Sequence, residues 1–314
     1  MEAQREWDEL GRNQPGQRGS MMPKPNLFIV GAPKCGTTAW TQYLSSHPDI
    51  FFSTPKELEY FCTDFPRWGV IENESEYLRH FDAAEARKII AEASVRYLYS
   101  AEAADNIKRF NPDARILIFV RDQVDYLPSL HNQMLYNGDE TIEDFGEVWH
   151  SLKREIPPSC REPAFLDYRA QGRFHEQARR YLTAFGADRV RIFHFDDWTR
   201  DPQATYSEIL DFLELKTDGR TQFPRINEAA RHRFQRLGQF TQSPPSWAVR
   251  ASALVKRLMG RERPPLVRWI RLLNRTQGYR TKGISDSLAQ EIRNYFAKDN
   301  RLLEAVISRP VKST

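Results

Sequence analysis

The residues best suited to chemistry are gathered in one short stretch, NLFIVGAPKCGTTAWTQYL, at positions 26–44. Gly31 and Gly36 are spaced as in a nucleotide phosphate loop, and Thr37 and Thr38 follow directly. The usual pattern carries its lysine after the second glycine; here Lys34 precedes Gly36 by two positions. The chemistry is anion binding. An apolar run (27–31) of buried-strand type leads into a turn, and the segment 37–46 carries Trp40, Tyr43 and Leu44 on one helical face. The first amides of such a helix lack internal partners, and the helix dipole adds partial positive charge. The glycines permit tight bending and close approach, the threonines add hydroxyl donors, and Lys34 adds charge.

A second constellation follows the apolar run RILIFV (115–120), which ends in Arg121 and then Asp122. A kinase or GTPase needs a metal-binding carboxylate at the end of such a neighbouring strand. A guanidinium in the first position suits a second phosphate better. The two segments together read as a site that holds phosphate with amides and cations, with no metal expected.

At these residues the chain resembles sulfotransferases that use 3′-phosphoadenosine 5′-phosphosulfate (PAPS), most nearly the heparan sulfate and bacterial carbohydrate sulfotransferases. GAPKCGTT resembles their 5′-phosphosulfate loop, whose lysine also precedes the second glycine. RDQVDYLPS, with Arg121 and Ser129 eight apart, resembles the segment that holds the 3′-phosphate. IFHFDDWTRDPQATYSEILDFLEL is similar to the family's late strand–helix segment. The resemblance implies a P-loop NTPase-like sulfotransferase fold and sulfuryl transfer to an acceptor hydroxyl, most naturally on a carbohydrate or glycolipid. It implies that Thr37, Thr38 and the amides of Cys35 and Gly36 hold the 5′-phosphate. Lys34 would face the bridging oxygen, where negative charge grows as the bond breaks. Cys35 is a spacer in this reading. The stretch KELEYF (56–61) resembles the segment carrying the family's catalytic glutamate, which makes Glu57 the general base, with Glu59 beside it where some relatives have a histidine. Late in the chain, TQGYRTKG (276–283) fits a cofactor loop by composition, which nominates Arg280, Thr281 and Lys282. One departure is Ala93, which stands where the family often has a lysine; Arg96 is the nearby cation.

These residues require elements to hold them. Short apolar runs at 27–31, 49–53, 89–94, 115–120 and 189–195 read as strands. Helical patterns follow at 37–46, 101–110, after Arg121, at 205–215 and at 285–307. Alternation of strand and helix predicts an α/β fold with a central parallel sheet flanked by helices. The expected organisation is a flexible leader (1–25) and one domain (26–314) with a basic helical insertion at about 230–274. Acceptor contacts are expected from 61–87, 137–167 and 230–274.

The 314 residues, 40% hydrophobic and 12% aromatic, suffice for a packed core. No run of apolar residues is long enough to span a bilayer, and the amino-terminal stretch lacks an apolar signal region. Three scattered cysteines suggest neither a disulfide framework nor a structural zinc site, so a cytoplasmic location is expected. Positions 225–282 hold fourteen Lys and Arg against two acidic residues. That excess suits a solvated surface, a wall for an anionic polysaccharide, or contact with an anionic membrane; nucleic acid is not expected, for want of a binding module. Two other functions stay open at this level. One is a P-loop phosphotransferase with Mg²⁺-dependent ATP or GTP binding. The other is a non-catalytic protein that binds nucleotides or anionic glycans.

Overall fold

The computed structural model describes residues 23–65, 71–84, 87–151, 155–226, 230–232, 275–277 and 283–307. Its centre is a parallel sheet of five strands: β1 (Leu27–Gly31), β2 (Ile50–Phe52), β3 (Ile89–Ala93), β4 (Arg115–Val120) and β5 (Val190–His194), in spatial order β2-β3-β1-β4-β5. β1 and β3 are buried along their whole length, as expected of strands covered on both faces. The expected parallel α/β architecture is therefore the observed one. The chain passes from β3 across β1 to β4, so the strand order reverses around β1. A crevice outside the carboxyl ends of the strands forms at such a point, and the ends of β1, β3, β4 and β5 all reach it.

The covering helices are α1 (Thr37–Ser45), α2 (Glu74–Arg79), α3 (Ala103–Phe110), α4 (Gln123–Asn137), α5 (Phe145–His150), α6 (Tyr168–Gln171), α7 (Phe174–Phe185), α8 (Phe195–Arg200), α9 (Pro202–Phe212) and α10 (Asp286–Ile307). Several start on a side-chain cap. The Asp122 carboxylate accepts from the Val124 amide at 2.7 Å and caps α4, while Asp201 accepts from the Ala204 amide and caps α9, with Pro202 in its first turn. α10 packs its Leu288, Ile292, Phe296 and Leu303 stripe against α7 and α4.

Aromatic rings join the sheet to the helices around the crevice. Trp40 of α1 stacks on Phe119 of β4 at 5.5 Å, and Phe119 stacks on Phe193 of β5 at 5.4 Å. Trp198 of α8 meets Trp40 edge-on at 5.7 Å. A separate antiparallel pair, β6 (Ala230–His232) with β7 (Arg275–Gln277), stands where the basic helical insertion is expected to begin and just after its end. Residues 233–274 lie outside the described residues, as do 1–22 of the expected leader and the cofactor-loop candidates Arg280, Thr281 and Lys282.

Candidate active site

The crevice is a cleft of about 1040 Å³. Lys34, Gly36, Thr37, Thr38, Glu57, Glu59, Arg121 and Ser129 all line it, although they come from three separate segments of the chain. The Cys35 side chain does not; it is fully buried under the loop, and burial pushes its thiol far above the ordinary range.

The loop after β1 is shaped by its two glycines. Gly31 has φ +145°, and a Cβ there would press on the Val95 carbonyl at 2.7 Å and on Leu98. Gly36, at φ +87°, caps α1 without any side-chain bond to the helix amides. A Cβ on Gly36 would overlap the Trp198 ring. Both glycines are thus required by the protein's own packing, as well as by bending. Lys34 also lies in the left-handed region, at φ +64°, and so do Glu57 (+66°) and Glu59 (+54°). Strain of this kind collects where surrounding structure fixes side chains for use.

Two cations share the loop end of the cleft. Lys34 Nζ donates to Gln133 Oε1 at 3.4 Å. Burial lowers its pKa first, and the Arg121 charge lowers it further. The Arg121 guanidinium lies over the Phe195 ring at 4.4 Å and makes only a long ion pair with Asp125 at 3.7 Å. Its Nε is buried and, among the described residues, has no acceptor. Two mutually opposed cations with an unused donor form a site that an anion relieves. Ser129 stands two turns along α4 from Arg121, and Gln133 is one turn further, so the same helix face serves both ends of the loop.

A second part of the cleft wall, the loop after β2, carries two glutamates. Glu57 is pinned by its backbone, whose amide donates to the Ala93 carbonyl at 3.0 Å. Its Oε2 accepts from the Val95 amide at 2.8 Å, and its Oε1 pairs with Lys56. Glu59 is only 4% exposed. Burial raises its pKa, and Glu57 adds to the rise, against the lowering by Arg96. Arg96 donates to Glu59 Oε1 at 2.8 Å and lies over Phe165, while Glu59 Oε2 has no donor among the described residues. The Arg96 charge is therefore committed to Glu59.

Behind this wall Glu92 of β3 is wholly buried. It accepts from Tyr77 (2.7 Å), Tyr97 (3.1 Å) and Ser94 (2.5 Å), and Ser94 Oγ in turn accepts from the Glu59 amide at 3.1 Å. Of the expected acceptor segments 61–87 and 137–167, only Asn137 and Phe165 reach the cleft among the described residues, joined there by Tyr99, Met134 and Tyr136. Sequence reasoning also passed over Lys56, Gln133, Phe195 and Trp198 as site residues. The i, i+3 pair of aromatics in FDDWTR was the available signal for the last two.

A phosphate-type loop at the switch point of a parallel sheet, faced by cations and by a pinned carboxylate, defines a class. The Sulfotransferase family profile matches residues 25–219, and the chain belongs to that family. A sulfotransferase from Alicyclobacillus acidocaldarius superposes with a TM-score of 0.64 at 26% identity, covering 92% of this chain and 98% of that one. The membrane-associated sulfotransferase kil1 of Dictyostelium discoideum is 28% identical over 160 residues, 51% of this chain and 29% of that protein. Carbohydrate sulfotransferase 15 of Rattus norvegicus is 25% identical over 250 residues, 61% of this chain and 44% of that protein. The chain thus spans less than half the length of these two curated relatives.

One expectation is corrected by these relatives. A cytoplasmic location does not stand, because a sulfotransferase similar to half of this chain is membrane-associated by name. That expectation rested on unpaired cysteines. Cys35, Cys62 and Cys160 are buried free thiols, a state set by core packing that carries no information about compartment. Among the described residues, no helix is long and apolar enough to cross a membrane.

Proposed function

We propose that the protein transfers the sulfuryl group of PAPS to a hydroxyl on a carbohydrate or glycolipid. The observation that carries this reading is that Lys34, Arg121, Ser129 and Glu57 all line one cleft. The uncapped amides of α1, with Thr37 and Thr38, hold the 5′-phosphate; Cys35 contributes its amide only. Arg121 and Ser129 hold the 3′-phosphate, and the buried Arg121 Nε gains an acceptor. Lys34 stabilises charge on the leaving phosphate oxygen, where its effect is greater in the transition state than in the ground state. Glu57 accepts the proton of the acceptor hydroxyl. The amide bond from Val95 fixes its orientation while that happens.

The acceptor class follows from the similarity to a carbohydrate sulfotransferase and from the polar and aromatic cleft wall of Glu59, Arg96, Tyr99 and Phe165. Arg225, the first residue of the basic segment, lines the cleft and suits an anionic acceptor. A phosphotransferase reading is less well served, because Asp122, the carboxylate beyond β4, is engaged as the cap of α4.

Calorimetry with adenosine 3′,5′-bisphosphate, and with ATP, each with and without Mg²⁺, tests the reading. The bisphosphate is expected to bind without metal. Labelled PAPS offered with glycans, glycolipids and phenols then identifies the acceptor. Glu57→Gln is expected to keep bisphosphate binding and lose transfer. Binding of ATP alone, dependent on Mg²⁺, would overturn the proposal.

A further inference from the structure

We propose that Lys56 is a second cation at the reacting centre, held on Glu57 in the resting site and passed to the sulfuryl oxygens as Glu57 takes up the acceptor proton. This rests on the sulfotransferase reading above and deepens it.

The geometry around Glu57 leads there. Both carboxylate oxygens are already engaged: Oε2 by the Val95 amide and Oε1 by the Lys56 ammonium. The Val95 amide belongs to the fixed backbone at the end of β3. Lys56 is the partner that can move. An acceptor hydroxyl must therefore share Oε1 with Lys56 or replace it there. The next acceptor for the ammonium is close by, since Lys56 Nζ lies 3.5 Å from Thr37 Oγ1 in the donor loop. Lys56 is the side chain that touches both the proton acceptor and the loop that holds the donor.

Other cations are committed elsewhere. Arg96 pairs with Glu59 and covers Phe165. Lys34 bonds Gln133 and Arg121 lies over Phe195, and neither is paired with Glu57 among the described residues. The charged groups around Glu57 are Lys56 and Glu59 from its own loop, Arg96 bound to Glu59, and Glu92 from β3.

The step balances as follows. The acceptor oxygen forms a bond to sulfur, and the bond from sulfur to the 5′-phosphate oxygen breaks. That electron pair stays on the phosphate, giving adenosine 3′,5′-bisphosphate. The hydroxyl proton goes to Glu57 Oε1. Glu57 becomes neutral, its hold on Lys56 weakens, and the ammonium follows the negative charge toward the sulfuryl and phosphate oxygens. Lys56 transfers no proton.

Lys56→Met and Lys56→Arg, each in the full chain, test this. Calorimetry measures the Kd for adenosine 3′,5′-bisphosphate, which lacks the sulfuryl group. Labelled PAPS turnover, with the acceptor found for the parent or with water, gives kcat, KM and their pH dependence. In Lys56→Met, kcat is expected to fall roughly 100-fold, with Kd within about threefold. Lys56→Arg should recover part of kcat. An unchanged kcat or a loss confined to Kd would each overturn the assignment of Lys56 while the sulfotransferase reading stood. Absence of any PAPS turnover by the parent would remove both. If Lys56→Met fails to bind the bisphosphate because it does not fold, Lys56→Arg decides: its Kd must match the parent and its kcat must lie below it.

Discussion

Replacing Glu92 with glutamine should change how the protein's stability depends on pH. Glu92 is fully buried on β3, and burial pushes its carboxyl from an ordinary 4.5 to about 7. The bonds from Ser94, Tyr77 and Tyr97 oppose the rise, and the Glu57 charge adds to it. Between pH 4.5 and 7 the native protein keeps this proton while the unfolded chain has released it. Stability from this group is therefore complete below about pH 4.5 and is lost as the pH rises through 7. At about 1.4 kcal/mol per pH unit, the loss is about 3 kcal/mol. A glutamine at 92 has the size and an acceptor for both tyrosines, its amide can donate to Ser94 Oγ, and it does not titrate. Parent and Glu92→Gln should accordingly have similar stability at pH 4.5, and the variant should be the more stable by about 3 kcal/mol at pH 8. Urea denaturation of both proteins at half-unit intervals measures this, and the difference between them cancels all other titrating groups. Parallel curves would show that Glu92 takes up its proton alike in the native and unfolded states, and the reasoning from burial would fail.

Three further substitutions probe the cleft. Lys34→Ala should lower kcat for PAPS turnover by roughly 100-fold and raise the Kd for adenosine 3′,5′-bisphosphate much less; equal losses in both would make Lys34 a binding residue only. Arg121→Ala should reduce discrimination between the 3′,5′-bisphosphate and adenosine 5′-phosphate by about 10-fold or more, the worth of a charged hydrogen bond, as read by calorimetry; an unchanged ratio would place the 3′-phosphate elsewhere. Gly36→Ala should cost about 1–3 kcal/mol in urea denaturation, because φ +87° is strained for alanine and its Cβ meets Trp198; Gly36→Ala combined with Trp198→Leu should behave better than the single change if the ring contact is the cause.

Most of the sheet could be read from the chain. The runs LFIVG and RILIFV are continuous and apolar because both faces of their strands are covered, and such runs stand out in any window. Elements between Asn137 and Val190 were less legible. α5 and α6 are too short to show a helical period, and their starts depend on the Asp144 and Asp167 caps. The anion loop was legible as well, because all of its parts are adjacent in sequence.

The pairing of charges across the cleft was not legible. Nothing in the order of residues says that Arg96 is bound to Glu59, that Lys56 lies on Glu57 within reach of Thr37, or that Glu92 is buried under the wall. The sequence by itself determined the glycine loop after β1, the strand that ends in Arg121 and the family, since each depends on local spacing. Only the tertiary structure decided which cation serves which carboxylate, because that depends on where β3 and the loop after β2 meet in space. It also decided why Gly36 must be glycine: Trp198, 162 positions away in the chain, occupies the volume that a side chain would need.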